Sequence, residues 1–144
     1  MKDDYLKYWR VIRYFVKAKY KLTQCDLDML LFLHSEKYFD KGRFKEYEEL
    51  MIWERGRFGR LTKEGWIKVF RKRSGPTKAV FTLTYKASRL ITSIYKKLSG
   101  EEIPTTQSAN PMYAKNVKYS DKVYRNFIKS MHASTKLLRH PAPE

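Results

Sequence analysis

A single cysteine, Cys25, in 144 residues leaves nothing to form an intramolecular disulfide. Lying in an apolar helical run, it is expected to pack as a small core residue. Long hydrophobic runs are also missing: no segment approaches the ~20 apolar residues of a membrane span. The opening MKDDYLKYWRVIRYF interleaves charges with apolar residues, so neither an export signal nor membrane insertion is expected. A reducing cytoplasm, in a prokaryotic cell or with a virus, fits this pattern best. Catalytic signatures are lacking too. No phosphate-binding Gly-x-x-x-x-Gly-Lys-Ser/Thr, nucleophile elbow or His-Glu-x-x-His occurs, and His34, His132 and His140 share no ligand-like spacing. An enzyme, a cofactor and a metal site are therefore not expected, and 46–49 (Glu-Tyr-Glu-Glu) is read as a solvated helix face.

Acidic residues are scarce relative to basic ones, 15 against 31, which gives a formal charge of +16 and a pI near 9.9. Such a charge opposes compaction by self-repulsion, and a polyanionic partner would offset it. Nucleic acid is the commonest; an anionic membrane surface or an acidic protein would also serve. With 42% hydrophobic and 15% aromatic residues, the chain has enough apolar surface to fold, as one domain with an appendage. The charge is patterned: +5 over residues 1–24, −3 over 25–50, +7 over 51–78, +4 over 79–100 and +3 over 101–144.

Periodicity supplies the elements. Residues 5–20 place Tyr5, Trp9, Ile12, Phe15, Val16 and Tyr20 at helical spacing. Thr23-Gln-Cys-Asp26 fits a capping box, predicting a second helix from about Gln24. Lys41-Gly42-Arg43 reads as a turn before a short helix over 44–51. The β-rich segments 66–71 and 79–84 form a hairpin with its tip at Ser74-Gly75-Pro76. Thr84 caps a helix over 85–98. Residues 100–118, without periodicity, read as a linker or arm, and Ser120-Asp121 opens a last helix carrying Val123, Tyr124, Phe127, Ile128, Met131 and Leu138.

Between the short helix and the hairpin lies ERGRFGRLTKEG, residues 54–65. Gly56 and Gly59 each disfavour helix by about 1 kcal/mol. Against that, Phe58 and Leu61 share a face, Gly65 suits a left-handed C-terminal cap, and Trp66 would then contact Leu61. Burial of such a side chain contributes ~1.5–3 kcal/mol, so a helix is expected. A solvated basic face and an arginine-glycine RNA-binding segment, with Phe58 stacking on bases, are the alternatives.

The predicted fold class is mainly α with a small β-hairpin wing, a winged helix-turn-helix, in which 54–65 is the recognition helix. The expected organisation is a winged-helix domain over 1–99, a linker or arm over 100–118, and a C-terminal helix over 119–144 suited to dimerisation. Leu61-Thr-Lys-Glu-Gly65-Trp-Ile67 and Phe81-Thr-Leu-Thr84-Tyr-Lys86 resemble two stretches of the MarR-type winged-helix regulators, and the resemblance covers about residues 5–98. It implies double-stranded DNA binding as a homodimer, with the first and last helices packing the subunits together. It points to Arg55, Arg57, Arg60 and Lys63 in the recognition helix, and to Arg71, Lys72, Arg73 and Lys78 in the wing. The chain departs from that family at the wing, which reads Arg73-Ser-Gly-Pro-Thr-Lys78 without the usual Asp-x-Arg. Transcriptional regulation is the expected function. The competing class is a structural or assembly component, such as a virion or nucleoprotein protein, that uses the same fold to bind protein or nonspecific nucleic acid.

Overall fold

The computed structural model describes residues 5–139, with side chains described over 7–134. Tyr5 and Leu138, both expected on helix faces, lie outside the described side chains, and His140 lies outside the described residues altogether. The described chain is mainly helical with one small antiparallel sheet, and it falls into two compact units. Thr23–Thr92 forms one, and the described residues on either side of it form the other.

Within Thr23–Thr92, helix α2 (Gln24–Glu36) begins at the expected capping box: the Thr23 hydroxyl accepts from the Asp26 N–H, and the Asp26 carboxylate accepts from the Thr23 N–H. Its Leu27, Leu30 and Leu33 are fully buried. Strand β1 (Tyr38–Phe39) follows, which hydrophobic periodicity did not anticipate because two residues carry no period. Asp40 then accepts from the Arg43 N–H at 2.8 Å, so helix α3 (Lys41–Glu48) starts at the position read as a turn and stops short of Met51. The expected turn at Lys41-Gly42-Arg43 is therefore the first turn of the helix, because a capping aspartate lies just ahead of it.

Helix α4 (Arg57–Lys63) occupies only the middle of ERGRFGRLTKEG. Gly56 is its left-handed N-cap at φ 80°, outside the helix, so only Gly59 carries the interior penalty. At the other end Gly65 adopts φ 88°, its N–H donating to Thr62 O and that of Trp66 to Leu61 O. This is the paired closure expected of a Gly-ended helix, and Leu61 and Trp66 are both buried. The Lys86 ammonium donates to Glu64 O at 3.0 Å and lies 4.0 Å from the Trp66 ring centre, placing a cation at the negative end of α4.

Strands β2 (Ile67–Arg71) and β3 (Val80–Leu83) form the expected hairpin, and β1 adds to the other edge of β3, giving the order β1-β3-β2 with both pairings antiparallel. Tyr38 and Lys68 both lie opposite Thr82, and a bulge interrupts β2 between Val69 and Arg71. The inner face carries Phe39, Phe81, Ile67 and Leu83, all buried. Phe58 meets Phe44 and Phe81 edge-on at 5.1 and 4.9 Å, which locks α4 to α3 and the sheet. Helix α5 (Tyr85–Leu98) starts at the cap predicted for Thr84.

The second unit contains helices α1 (Tyr5–Tyr20) and α6 (Tyr119–Arg139), with the last residues of α5 and the segment that follows it. Val11, Ile12, Phe15 and Val16 form the buried face of α1. Tyr14 stacks on Tyr124 at 3.8 Å and donates to Asp121, so Ser120-Asp121 both begins α6 and binds α1. Residues 100–118 are not a bare connection. Ile103, Asn110 and Met112 are buried, a single 3-10 turn spans Pro111–Tyr113, the Ile103 N–H donates to His132 Nε2, and Arg125 donates to the carbonyls of Met112 and Ala114.

Candidate nucleic-acid interface

The eight cations singled out in the sequence divide sharply by environment. Arg57 is turned inward, with only 2% of its side chain exposed. Its Nη1 donates to Glu48 Oε2 at 2.9 Å and its Nη2 to Ile52 O at 3.0 Å, while Nε lies 3.5 Å from Asp26 Oδ1. Arg60 forks onto Asp26 at 2.7 and 3.0 Å and onto Glu54 at 3.0 Å through two nitrogens, and it also reaches Glu64 at 3.2 Å. These two arginines, expected to face a polyanion, instead bind the N-terminus of α2, the end of α3 and the loop before α4. The reason is chemical. Asp26 is fully buried, and a buried carboxylate is retained as an anion only when hydrogen-bonded and paired.

Burial pushes the Asp26 carboxyl upward, but hydrogen bonds and charge from Arg60, together with the Thr23 cap, outweigh it and hold the group below its usual range. The Arg60 guanidinium is held correspondingly above its usual range by the hydrogen bonds it donates to Asp26 and Glu54. Glu48 is engaged by Arg57, and Glu46 pairs with Arg43 at 3.0 Å, so 46–49 is not the merely solvated face it resembled.

The other six cations are exposed. Arg55 precedes the Gly56 cap; Lys63 ends α4; Arg71, Lys72, Arg73 and Lys78 belong to the hairpin. None of the six pairs with a described carboxylate. The hairpin from Ile67 to Thr84 contains five basic residues and no acid. Its tip turns at Gly75, φ 56°, where Ser74 and Thr77 exchange backbone hydrogen bonds. Lys68, not singled out in the sequence, joins this set as an exposed cation on the sheet; its alternation with Ile67 and Val69 was the available signal.

The outward face of α4 combines Gly59 and Lys63, one turn apart, with Gly56 at the cap. A Cβ at Gly59 would meet nothing within 4 Å, so nothing in the fold uses the space it leaves. Between α3 and α4 opens a cavity of about 570 Å³, lined by Lys41, Lys45, Phe44, Trp53, Phe58 and Gly59 among others. Beside it, the loop after α3 exposes Leu50, Ile52 and Trp53. Among the described residues no group of histidines, cysteines and carboxylates could hold a metal ion, and no helix is long and apolar enough to cross a membrane. Compared with protein-family models, curated proteins and solved structures, the chain matches none.

Proposed function

We propose that Thr23–Thr92 is a winged helix-turn-helix similar to the MarR type, that it binds double-stranded DNA, and that the protein acts as a transcriptional regulator by occupying DNA rather than by chemistry. The element order of helix, strand, helix, helix, strand, strand, with sheet order β1-β3-β2, supports a helix-turn-helix at α3 and α4 with the β2–β3 hairpin as its wing. One observation carries the binding reading: six unpaired cations cluster at α4 and on an acid-free hairpin, whereas the two arginines with a structural task are held by carboxylates. In this reading Arg55, Lys63, Arg71, Lys72, Arg73 and Lys78 meet phosphates, and Gly56 and Gly59 let the α4 backbone approach the duplex closely.

Titration of a labelled duplex across a salt series tests this. Six neutralised phosphates give a slope of log K against log salt of roughly −5, at about −0.9 per phosphate. Arg55→Ala with Lys63→Ala reduces that slope by about two. No measurable duplex affinity at low salt refutes the proposal. A second reading, a nucleoprotein or virion assembly component, draws on the exposed Leu50, Ile52 and Trp53 and on the few base-reading side chains that α4 turns outward. Salt-sensitive binding that is equal for random and selected duplexes favours it. Homodimerisation belongs to the regulator reading, through α6 with its exposed Tyr119 and Phe127, and light scattering decides it.

A further inference from the structure

We propose that the outer face of the three-stranded sheet is a stacking platform for unpaired bases, so that the protein also binds single-stranded nucleic acid. Tyr38 of β1 and Phe70 of β2 flank the central strand β3, and their ring centres lie 4.5 Å apart at 43°. They are 53% and 58% exposed. The core does not need them, because Phe39, Phe81 and Ile67 fill the opposite face. The placement is built into the register. Tyr38, Thr82 and Lys68 form one rung across the sheet, while Phe70 falls in the bulge of β2, where no residue of β3 opposes it. The Thr82 hydroxyl, between the two edges, donates to Lys37 O at 2.8 Å and so is satisfied within the protein.

Charge selects the occupant. Lys37 adjoins Tyr38, and Lys68, Arg71 and Lys72 surround Phe70 in sequence; all four are exposed, and the hairpin carries no acid to oppose an anion. An apolar protein surface would satisfy the rings but leave the cations unpaired. A duplex would satisfy the cations but keeps its base faces stacked inside. A single strand offers flat π faces and phosphates together, the combination that aromatic platforms in basic grooves recognise. The inference shares Arg71 and Lys72 with the helix-turn-helix reading but does not depend on it, since it rests on the two exposed rings and on a different form of nucleic acid.

The test is fluorescence anisotropy with labelled (dT)20, (rU)20 and a 20-base-pair duplex, using the full chain and the variants Tyr38→Ala, Phe70→Ala, Phe70→Leu and Tyr38→Phe. Both alanine variants are expected to lose roughly 5- to 150-fold in single-strand affinity, the range for one stacked base, with duplex affinity changed less than about twofold. Tyr38→Phe keeps the ring and keeps the affinity; Phe70→Leu keeps the apolar volume and loses it. The two single-stranded probes establish whether the 2′-hydroxyl matters. Urea midpoints matching the parent show that these surface variants fold. The proposal is overturned by single-strand affinity indifferent to both alanine variants, by Phe70→Leu binding as well as the parent, or by a self-association that Phe70→Ala abolishes. Indifference of single strands with duplex binding intact removes the platform and leaves the duplex reading standing; failure of the duplex alone does the reverse.

Discussion

Arg57→Ala separates an arginine that builds the fold from one that meets a ligand. The side chain is almost wholly enclosed and holds four groups: Glu48, the Ile52 carbonyl and, more distantly, Glu54 and Asp26. Truncation leaves Glu48, whose side chain is only 14% exposed, without its cation, and the Ile52 carbonyl without that donor. Removing one member of a buried pair costs about 3–5 kcal/mol, because the remaining charge stays desolvated. That is a large part of the ~5–15 kcal/mol by which domains are stable. At roughly 3 °C per kcal/mol for a chain of this size, the melting temperature should fall by about 10–15 °C. Arg55→Ala, two residues away and exposed, should cost less than ~0.5 kcal/mol. Arg57→Lys keeps the charge but loses the fork, and should fall between the two. Urea unfolding followed by far-ultraviolet circular dichroism, with equal m-values as a control, reads the difference. A cost for Arg57→Ala below about 1 kcal/mol, or equal to that of Arg55→Ala, would refute the interior role. So would loss of duplex affinity at a temperature where Arg57→Ala remains fully folded.

Other outcomes follow from the same geometry. Because the Asp26 carboxyl is held below its unfolded value near 3.8, its contribution to stability is fully present above that pH and is lost as pH falls through the lower folded value. Urea midpoints should therefore owe little change to this group between about pH 7 and 5, and between about pH 4 and 2 should fall more for the parent than for Asp26→Asn; parallel pH curves would contradict this. Gly59→Ala should raise stability by about 0.5–1 kcal/mol, since the added methyl meets open space in a helix interior, while weakening duplex binding if the α4 backbone makes close approach. Unchanged affinity in this variant would place the duplex elsewhere. His132→Leu removes the acceptor for the buried Ile103 N–H and should destabilise the arm by about 1–3 kcal/mol. Trypsin cleavage at the exposed Lys115 and Lys118 then accelerates, and an unchanged rate would show that the arm is held without His132.

Much of this architecture was legible because local chemistry and tertiary packing agree. Thr23 and Asp26 announced α2, Thr84 announced α5, and Gly65-Trp66 announced the end of α4, each through a backbone group that needs a specific partner. Apart from the Asp40 cap of α3, what escaped had no local signature. Strand β1 exists only because Tyr38 and Phe39 can add to an edge of β3, a partner some forty residues away. The destination of Arg57 and Arg60 was equally hidden. Charge type alone cannot tell a phosphate ligand from an ion-pair partner, and Asp26 lies 34 positions from Arg60. The acidic run over 25–50 beside the basic run over 51–78 was the available clue, and it described a contact inside the protein as much as a field outside it.

That contact changes how the net charge should be understood. In Thr23–Thr92 there are fifteen basic and nine acidic residues. Six of the acids, Asp26, Glu36, Glu46, Glu48, Glu54 and Glu64, are engaged by only three arginines, Arg43, Arg57 and Arg60. Pairing does not alter the total, but it segregates it. An ion-paired cluster with three negative charges in excess ties α2, α3 and α4 together, and twelve cations remain against three acids over the rest of the unit. Of those three, Asp40 is further engaged in capping α3, and Asp28 accepts from Gln24. The hairpin, with five cations and no acid, is therefore the strongest concentration of unopposed charge in this unit. An electrostatic contribution to ligand binding should accordingly respond more to Arg71, Lys72 and Lys78 than to the arginines of α4. Charge reversal at Lys72 and at Arg60 distinguishes the two: the first should weaken salt-sensitive binding in a folded protein, and the second should weaken the fold.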